Sequence, residues 1–248
     1  KVPILCLLLI TCFITYGQVK TDRWLEDLLQ AKASPFLQSI LSKPDSFQFQ
    51  IIYTRIDRDK KNVPSFTNYY LNVDRNRYFN PASTVKLPTA LAALEKLNRW
   101  GSEKLDKFTP MLTDSSYTRQ KAVTADTSSS NGLPSIAHYI KKIFLVSDND
   151  AYSRLYEYTG QQELNHILWN KGYRDIRITR RFVPMNEEQN RHTNAIRFIK
   201  NGQVIHQQAP AVSDITFDFS KKNLVGRAHL NSSDSLINAP MDFTMHNN

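Results

Sequence analysis

The sequence predicts a mixed α/β (α+β) protein, and three observations carry that prediction. Alternating apolar segments stand toward both ends of the chain, helical periodicity fills the middle, and the Asn201-Gly202 pair marks a tight hairpin turn. Of 248 residues, 41% are hydrophobic and 22% charged, which suits one large folded domain and excludes wholesale disorder.

Residues 22–41 read as one amphipathic helix, with Trp24, Leu25, Leu28, Leu29 and Phe36 on its apolar stripe. Residues 47–56 and 66–73 alternate as strands do, and the polar link 57–62 makes them an antiparallel hairpin. From 83 to 100 the apolar positions surround most of a helical cylinder, the pattern of a buried helix. Pro88 falls early in it, where a missing N–H does limited damage. Residues 113–131, rich in Ser, Thr and Asp, read as a loop. Helices follow over 136–146, 151–158 and 161–170, the last closed by Gly172. Residues 194–200 and 203–208 form the hairpin around Asn201-Gly202, and 224–230 with 236–237 read as a second hairpin.

The first seventeen residues differ from the rest. Lys1 gives a positive start, residues 2–16 are almost wholly apolar, and small Gly17 precedes a polar stretch. This is the pattern of a secretory signal peptide cleaved after Gly17. About fifteen apolar residues are too few to span a bilayer comfortably. Lipid attachment at Cys12 is a poorer reading, because Thr11 precedes it. The expected organisation is a signal over 1–17 and one domain over 18–248, exported to the periplasm or secreted, with membrane contact only through the signal.

Export constrains the chemistry. Cys6 and Cys12 both lie in the signal, so cysteine nucleophiles, thiolate metal sites and disulfides are excluded from the mature chain. The formal net charge is +9, and an exported chain meets envelope polymers and lipid head groups rather than nucleic acid. Arg174, Arg177, Arg180 and Arg181 read as a solvated face. The histidines show no paired metal spacing, so neither a metal nor another cofactor is expected.

Ser83-Thr84-Val85-Lys86 is the first candidate for chemistry. Residues three apart on a helix share a face, so the Ser83 hydroxyl and the Lys86 amine become neighbours. Among apolar groups an ammonium loses hydration, its pKa falls, and the neutral amine can take the serine proton. Ser147-Asp148-Asn149 follows at the end of another helix. It offers the Ser147 hydroxyl as a proton relay, the Asn149 amide for a substrate carbonyl, and Asp148 as a brace for the turn. The same tripeptide equally suits a plain helix start, so both readings stand.

These two motifs, in residues 78–88 and 146–152, resemble the serine β-lactamases of class A and their penicillin-recognising relatives, whose signature joins Ser-x-x-Lys, Ser-Asp-Asn and Lys-Thr-Gly. The resemblance runs from about Asp22 to Phe243 and is strongest between Phe47 and Val183. It implies a helical subdomain beside an antiparallel sheet flanked by helices, with the active site between them. It also implies Ser83 as the acylated nucleophile, Lys86 as its base, Ser147 as the relay to the leaving nitrogen, and Asn149 as a contact to the substrate amide. The implied activity is hydrolysis of a β-lactam or related amide. The alternatives are a peptidoglycan peptidase or esterase, and a slow-turnover penicillin-binding protein or sensor.

Two departures qualify that implication. Where class A enzymes carry the acidic residue that activates the deacylating water, this chain has Val183 before Pro184, with Glu187 and Glu188 the nearest carboxylates. No Lys-Thr-Gly follows, and Lys200-Asn201-Gly202 lies too early and reads as a turn. The expectation is therefore an N-terminal portion of the domain, lacking its last strands and helix.

Overall fold

The computed structural model describes residues 19–243 apart from 101–104, 116, 118, 119, 221 and 223. The predicted signal lies outside the described residues. The chain divides into two units, one ending at Phe79 and one beginning at Asn80.

In the first unit the predicted 22–41 helix is broken. Helix α1 (Arg23–Lys32) ends before α2 (Pro35–Leu41), and a short α3 (Pro44–Phe47) follows. Pro35 causes the break, because the proline ring disfavours helical geometry at the residue before it. Ser34 is accordingly extended, and its hydroxyl accepts from the Leu37 N–H at 3.2 Å to start the new helix. Strands β1 (Ile51–Arg58) and β2 (Pro64–Leu71) pair antiparallel from Ile51↔Leu71 to Arg58↔Pro64. Leu25, Leu41 and Leu71 form their small buried core, and Trp24 packs 4.3 Å from Tyr69.

The second unit opens with a 3-10 turn, Ala82–Val85, that runs into α4 (Lys86–Trp100). Then come β3 (Met111–Thr113), α5 (Ile136–Val146), α6 (Asn149–Thr159), α7 (Gln161–Asn170) and α8 (Glu187–Arg191). Strands β4 (His192–Thr193), β5 (Ile196–Lys200), β6 (Gln203–Gln208) and β7 (Ala211–Val212) complete the body of the unit. The strand order β3-β5-β6 is antiparallel, and Asn201 and Gly202 both take positive φ at the β5–β6 turn, as a two-residue hairpin demands. Toward the C-terminus β8 (Leu224–Val225) pairs with β11 (Met241–Asp242), while β9 (His229–Leu230) pairs with β10 (Leu236–Ile237). The predicted continuous strand 224–230 is thus split, at Gly226 with φ +78°.

The helix that the core surrounds is α6 rather than α4. Every residue from Ala151 to Thr159 is buried, whereas Leu87 and Leu91 leave α4 one exposed face. Helix α6 pairs much of the polarity it buries. Tyr152 donates to the Arg180 carbonyl at 2.9 Å, and Tyr156 lies 3.1 Å from the Thr179 carbonyl and 3.0 Å from that of Asn190. Glu157 pairs with Arg181 at 3.0 Å, and both side chains are almost wholly enclosed. Arg174 is exposed, but Arg181 is therefore an exception to the reading of its cluster as a solvated face. Its guanidinium also donates to the carbonyls of Gln189 and His192, at 3.2 and 2.6 Å, which ties the 181–192 segment to α6. Apolar packing completes this core, with Ala93, Tyr139, Leu155, Leu164, Ile196 and Phe198 among its buried members.

Candidate active site

Local backbone geometry brings the two motifs together. Ser83 lies within the 3-10 turn and Lys86 opens α4, so the tighter turn stacks position i over i+3. Ala82, just before Ser83, has φ +43°, a left-handed backbone that an L side chain disfavours. The Asn80 side chain holds this bend by accepting from the Ala82 N–H at 3.1 Å. Replacing Ala82 with Gly should raise the urea midpoint, by about 0.5–1 kcal/mol of stability, through release of that strain. A lowered midpoint would contradict the assignment of strain there.

Ser147 ends α5 in the same left-handed region, φ +53°, and its N–H returns to the Ile143 carbonyl at 3.0 Å. Asp148 then caps α6 by accepting from the Ala151 N–H at 2.8 Å. The sharp corner between α5 and α6 leaves Ser147 and Asn149 exposed, as Ser83 is, while Lys86 is only 2% exposed beneath them.

The amine is the hub. Lys86 Nζ lies 3.2 Å from Ser83 Oγ, 2.9 Å from Ser147 Oγ and 2.8 Å from Asn149 Oδ1, and it also donates to the Ser147 carbonyl. Ser147 Oγ is itself 3.2 Å from Ser83 Oγ, closing a triangle of two hydroxyls and one amine. Two of the four oxygens, the Ser147 carbonyl and the Asn149 amide, can only accept. A neutral amine can give its two N–H groups to these, which aims its lone pair at the hydroxyls. Burial lowers the Lys86 pKa from its ordinary value, against the opposing pull of the Asp148 carboxylate.

The cleft above the cluster encloses about 610 Å³. Ser83 and Asn149 line it, as do Arg180, Phe182 and Val183 from the segment that Arg181 anchors. The Phe182 ring packs against Tyr152, tilted by 33° with centroids 4.5 Å apart, and sits 5.3 Å from Lys86 Nζ. Among the described residues, no carboxylate lines this cleft. Glu187 is exposed on α8, and Glu188 is held by Arg191 at 2.7 Å and by His192 at 2.9 Å. Val183 thus occupies the wall without a substitute acid. Sequence reasoning missed Arg180 and Phe182 as cleft residues, because only the Arg181–Glu157 contact reveals how the segment is pinned.

A buried amine below two exposed hydroxyls, where a 3-10 turn meets a helix corner, is equipment for acyl transfer. On a mixed helix-and-sheet protein such a grouping suits a hydrolase. Residues 35–208 match the beta-lactamase enzyme family, a stretch covering most of the chain, and the chain belongs to that family. No curated protein and no solved structure matches it.

Proposed function

We propose that this chain is an exported serine hydrolase of the class A type, which opens a β-lactam or related amide through an acyl-enzyme on Ser83. The observation that carries this reading is the placement of a buried Lys86 amine within hydrogen-bond reach of both Ser83 and Ser147. In the first step Lys86 takes the Ser83 proton while Oγ attacks the substrate carbonyl carbon. The tetrahedral adduct then collapses. Its C–N bond breaks, Ser147 gives its proton to the departing nitrogen, and Lys86 returns the held proton to Ser147. Asn149, at the cleft edge, orients the substrate amide. Export rests on the apolar run of residues 2–16 behind Lys1.

Deacylation differs from acylation, since it needs a group that takes a proton from water. Val183 cannot do this, which favours a slow-turnover enzyme or a penicillin sensor over a fast lactamase. Incubating the protein with a penicillin should give one covalent adduct by intact mass, absent from Ser83→Ala and slow to disappear. Val183→Glu should hasten adduct decay about tenfold or more. An adduct that persists in Ser83→Ala would reject the nucleophile, and rapid multiple turnover by the unaltered protein would reject the slow-release reading.

A further inference from the structure

A second polar cluster lies behind the α5–α6 corner. Lys142 on α5 reaches Asp148 Oδ2 at 3.4 Å and Asp126 Oδ2 at 3.1 Å, and is partly shielded from solvent. Asp126 belongs to the loop before α5, where its Oδ1 accepts from the Ser128 hydroxyl at 2.6 Å and from the Ser128 N–H at 3.0 Å. His138 completes the group, with Nε2 3.1 Å from Asp126 Oδ2 and 3.1 Å from Ser128 Oγ. Serine, histidine and aspartate here are not a second catalytic triad. Both partners meet the same ring nitrogen, so the imidazole cannot pass a proton between them.

The cluster instead touches the Lys86 site through one residue. Asp148 divides its carboxylate, one oxygen capping α6 and the other paired with Lys142. Helix α6 begins at Asn149, whose side chain holds Lys86 Nζ. We propose that Lys142, itself held by Asp126, is a positioning residue for the Ser83–Lys86 pair: it fixes Asp148 and cancels part of the negative field that Asp148 casts on the Lys86 amine. This inference rests on the acylation reading for its significance to catalysis, though not for its electrostatics.

The elements packed against α4 carry other titratable groups, most of them paired with one another. On α5 these are His138, Lys141 and Lys142; on α6, with its cap, they are Asp148, Asp150, Arg154 and Glu157. Helix α7 adds Glu163 and His166, and the cleft segment adds Arg180 and Arg181. Arg154 pairs with Asp150 and Glu157, Arg181 with Glu157, and Glu163 with Lys96. Asp148 is the carboxylate that pulls on Lys86. Burial disfavours the charged forms of Asp126 and Lys142, yet hydrogen bonds from Ser128 and their mutual pairing outweigh it, so both remain ionised at neutral pH.

The two charges of the relay should act on Lys86 with opposite signs. Removing the Lys142 cation uncovers Asp148 and favours the Lys86 ammonium. Removing the Asp126 anion leaves Lys142 less neutralised and disfavours it. The test is a titration of Lys86 in the full chain carrying carbon-13-labelled lysine, read by NMR, with its signal identified by loss in Lys86→Met. Lys142→Gln should move the Lys86 midpoint upward by several tenths of a pH unit, Asp126→Asn should move it downward, and Lys142→Arg should leave it in place. A merely structural role predicts that both disruptive variants loosen the corner, hydrate the amine and move it upward together. Shifts of one sign, or none, would overturn the proposal. If Lys142→Gln does not fold, the downward shift in Asp126→Asn decides the matter, since loosening alone drives the amine the other way. Failure of the unaltered protein to form a penicillin adduct would count against the Ser83 reading and leave this titration intact.

Discussion

Replacing Lys86 with Met is expected to slow acylation of Ser83 by about 10²–10⁴-fold, the range lost when a positioned proton acceptor is removed. Methionine matches the lysine stem in bulk and tolerates the same buried environment, so packing changes little. What disappears is the basic nitrogen 3.2 Å from Ser83 Oγ and 2.9 Å from Ser147 Oγ. Both proton movements of the acylation step then lack their carrier. Stopped-flow measurement with a chromogenic β-lactam reads the rate directly. A loss below tenfold would show that another group activates Ser83, and would reverse the assignment of Lys86 as base.

The second large effect is on stability. Glu157→Ala should cost about 3–5 kcal/mol, because it strands the buried guanidinium of Arg181 without its carboxylate. Arg181 is 0% exposed and Glu157 2%, so water cannot replace the lost partner without opening the core. Arg154 keeps Asp150, at 3.0 Å, and suffers less. A loss this large is a sizeable fraction of the 5–15 kcal/mol typical of folded domains. Urea denaturation checks it, and a cost under about 1 kcal/mol would mean that the 181–192 segment is held by its backbone contacts rather than by the ion pair. Penicillin acylation of the variant should also weaken, since Arg180, Phe182 and Val183 hang from that anchor.

The geometry of the candidate site is legible in the sequence wherever it is local. Ser83 and Lys86 are three positions apart, and Ser147 and Asn149 flank one helix cap, so short-range geometry predicts their faces. The β5–β6 hairpin was legible for the same reason, since Asn-Gly fixes its turn whatever surrounds it. The fold's centre was not. Tyr152, Tyr156 and Glu157 give α6 the polarity of a surface helix, and only partners far along the chain reveal that this polarity is buried and paired. Leu87 and Leu91 mislead in the opposite sense, as apolar side chains on an exposed face of α4. The 22–41 helix failed on a local signal, Pro35, that outranks an amphipathic stripe. Lys142 and Asp126, sixteen residues apart across a loop, carry no pattern that a sequence displays.

The pH dependence of acylation tests the central claim, that the Lys86 amine, its pKa lowered by burial, removes the Ser83 proton. With a neutral β-lactam as substrate, the acylation rate should climb with pH through one ionisation whose midpoint lies below the ordinary lysine range, and Lys86→Met should abolish that limb. A rate that stays level as pH rises, or an identical limb surviving in Lys86→Met, would contradict it.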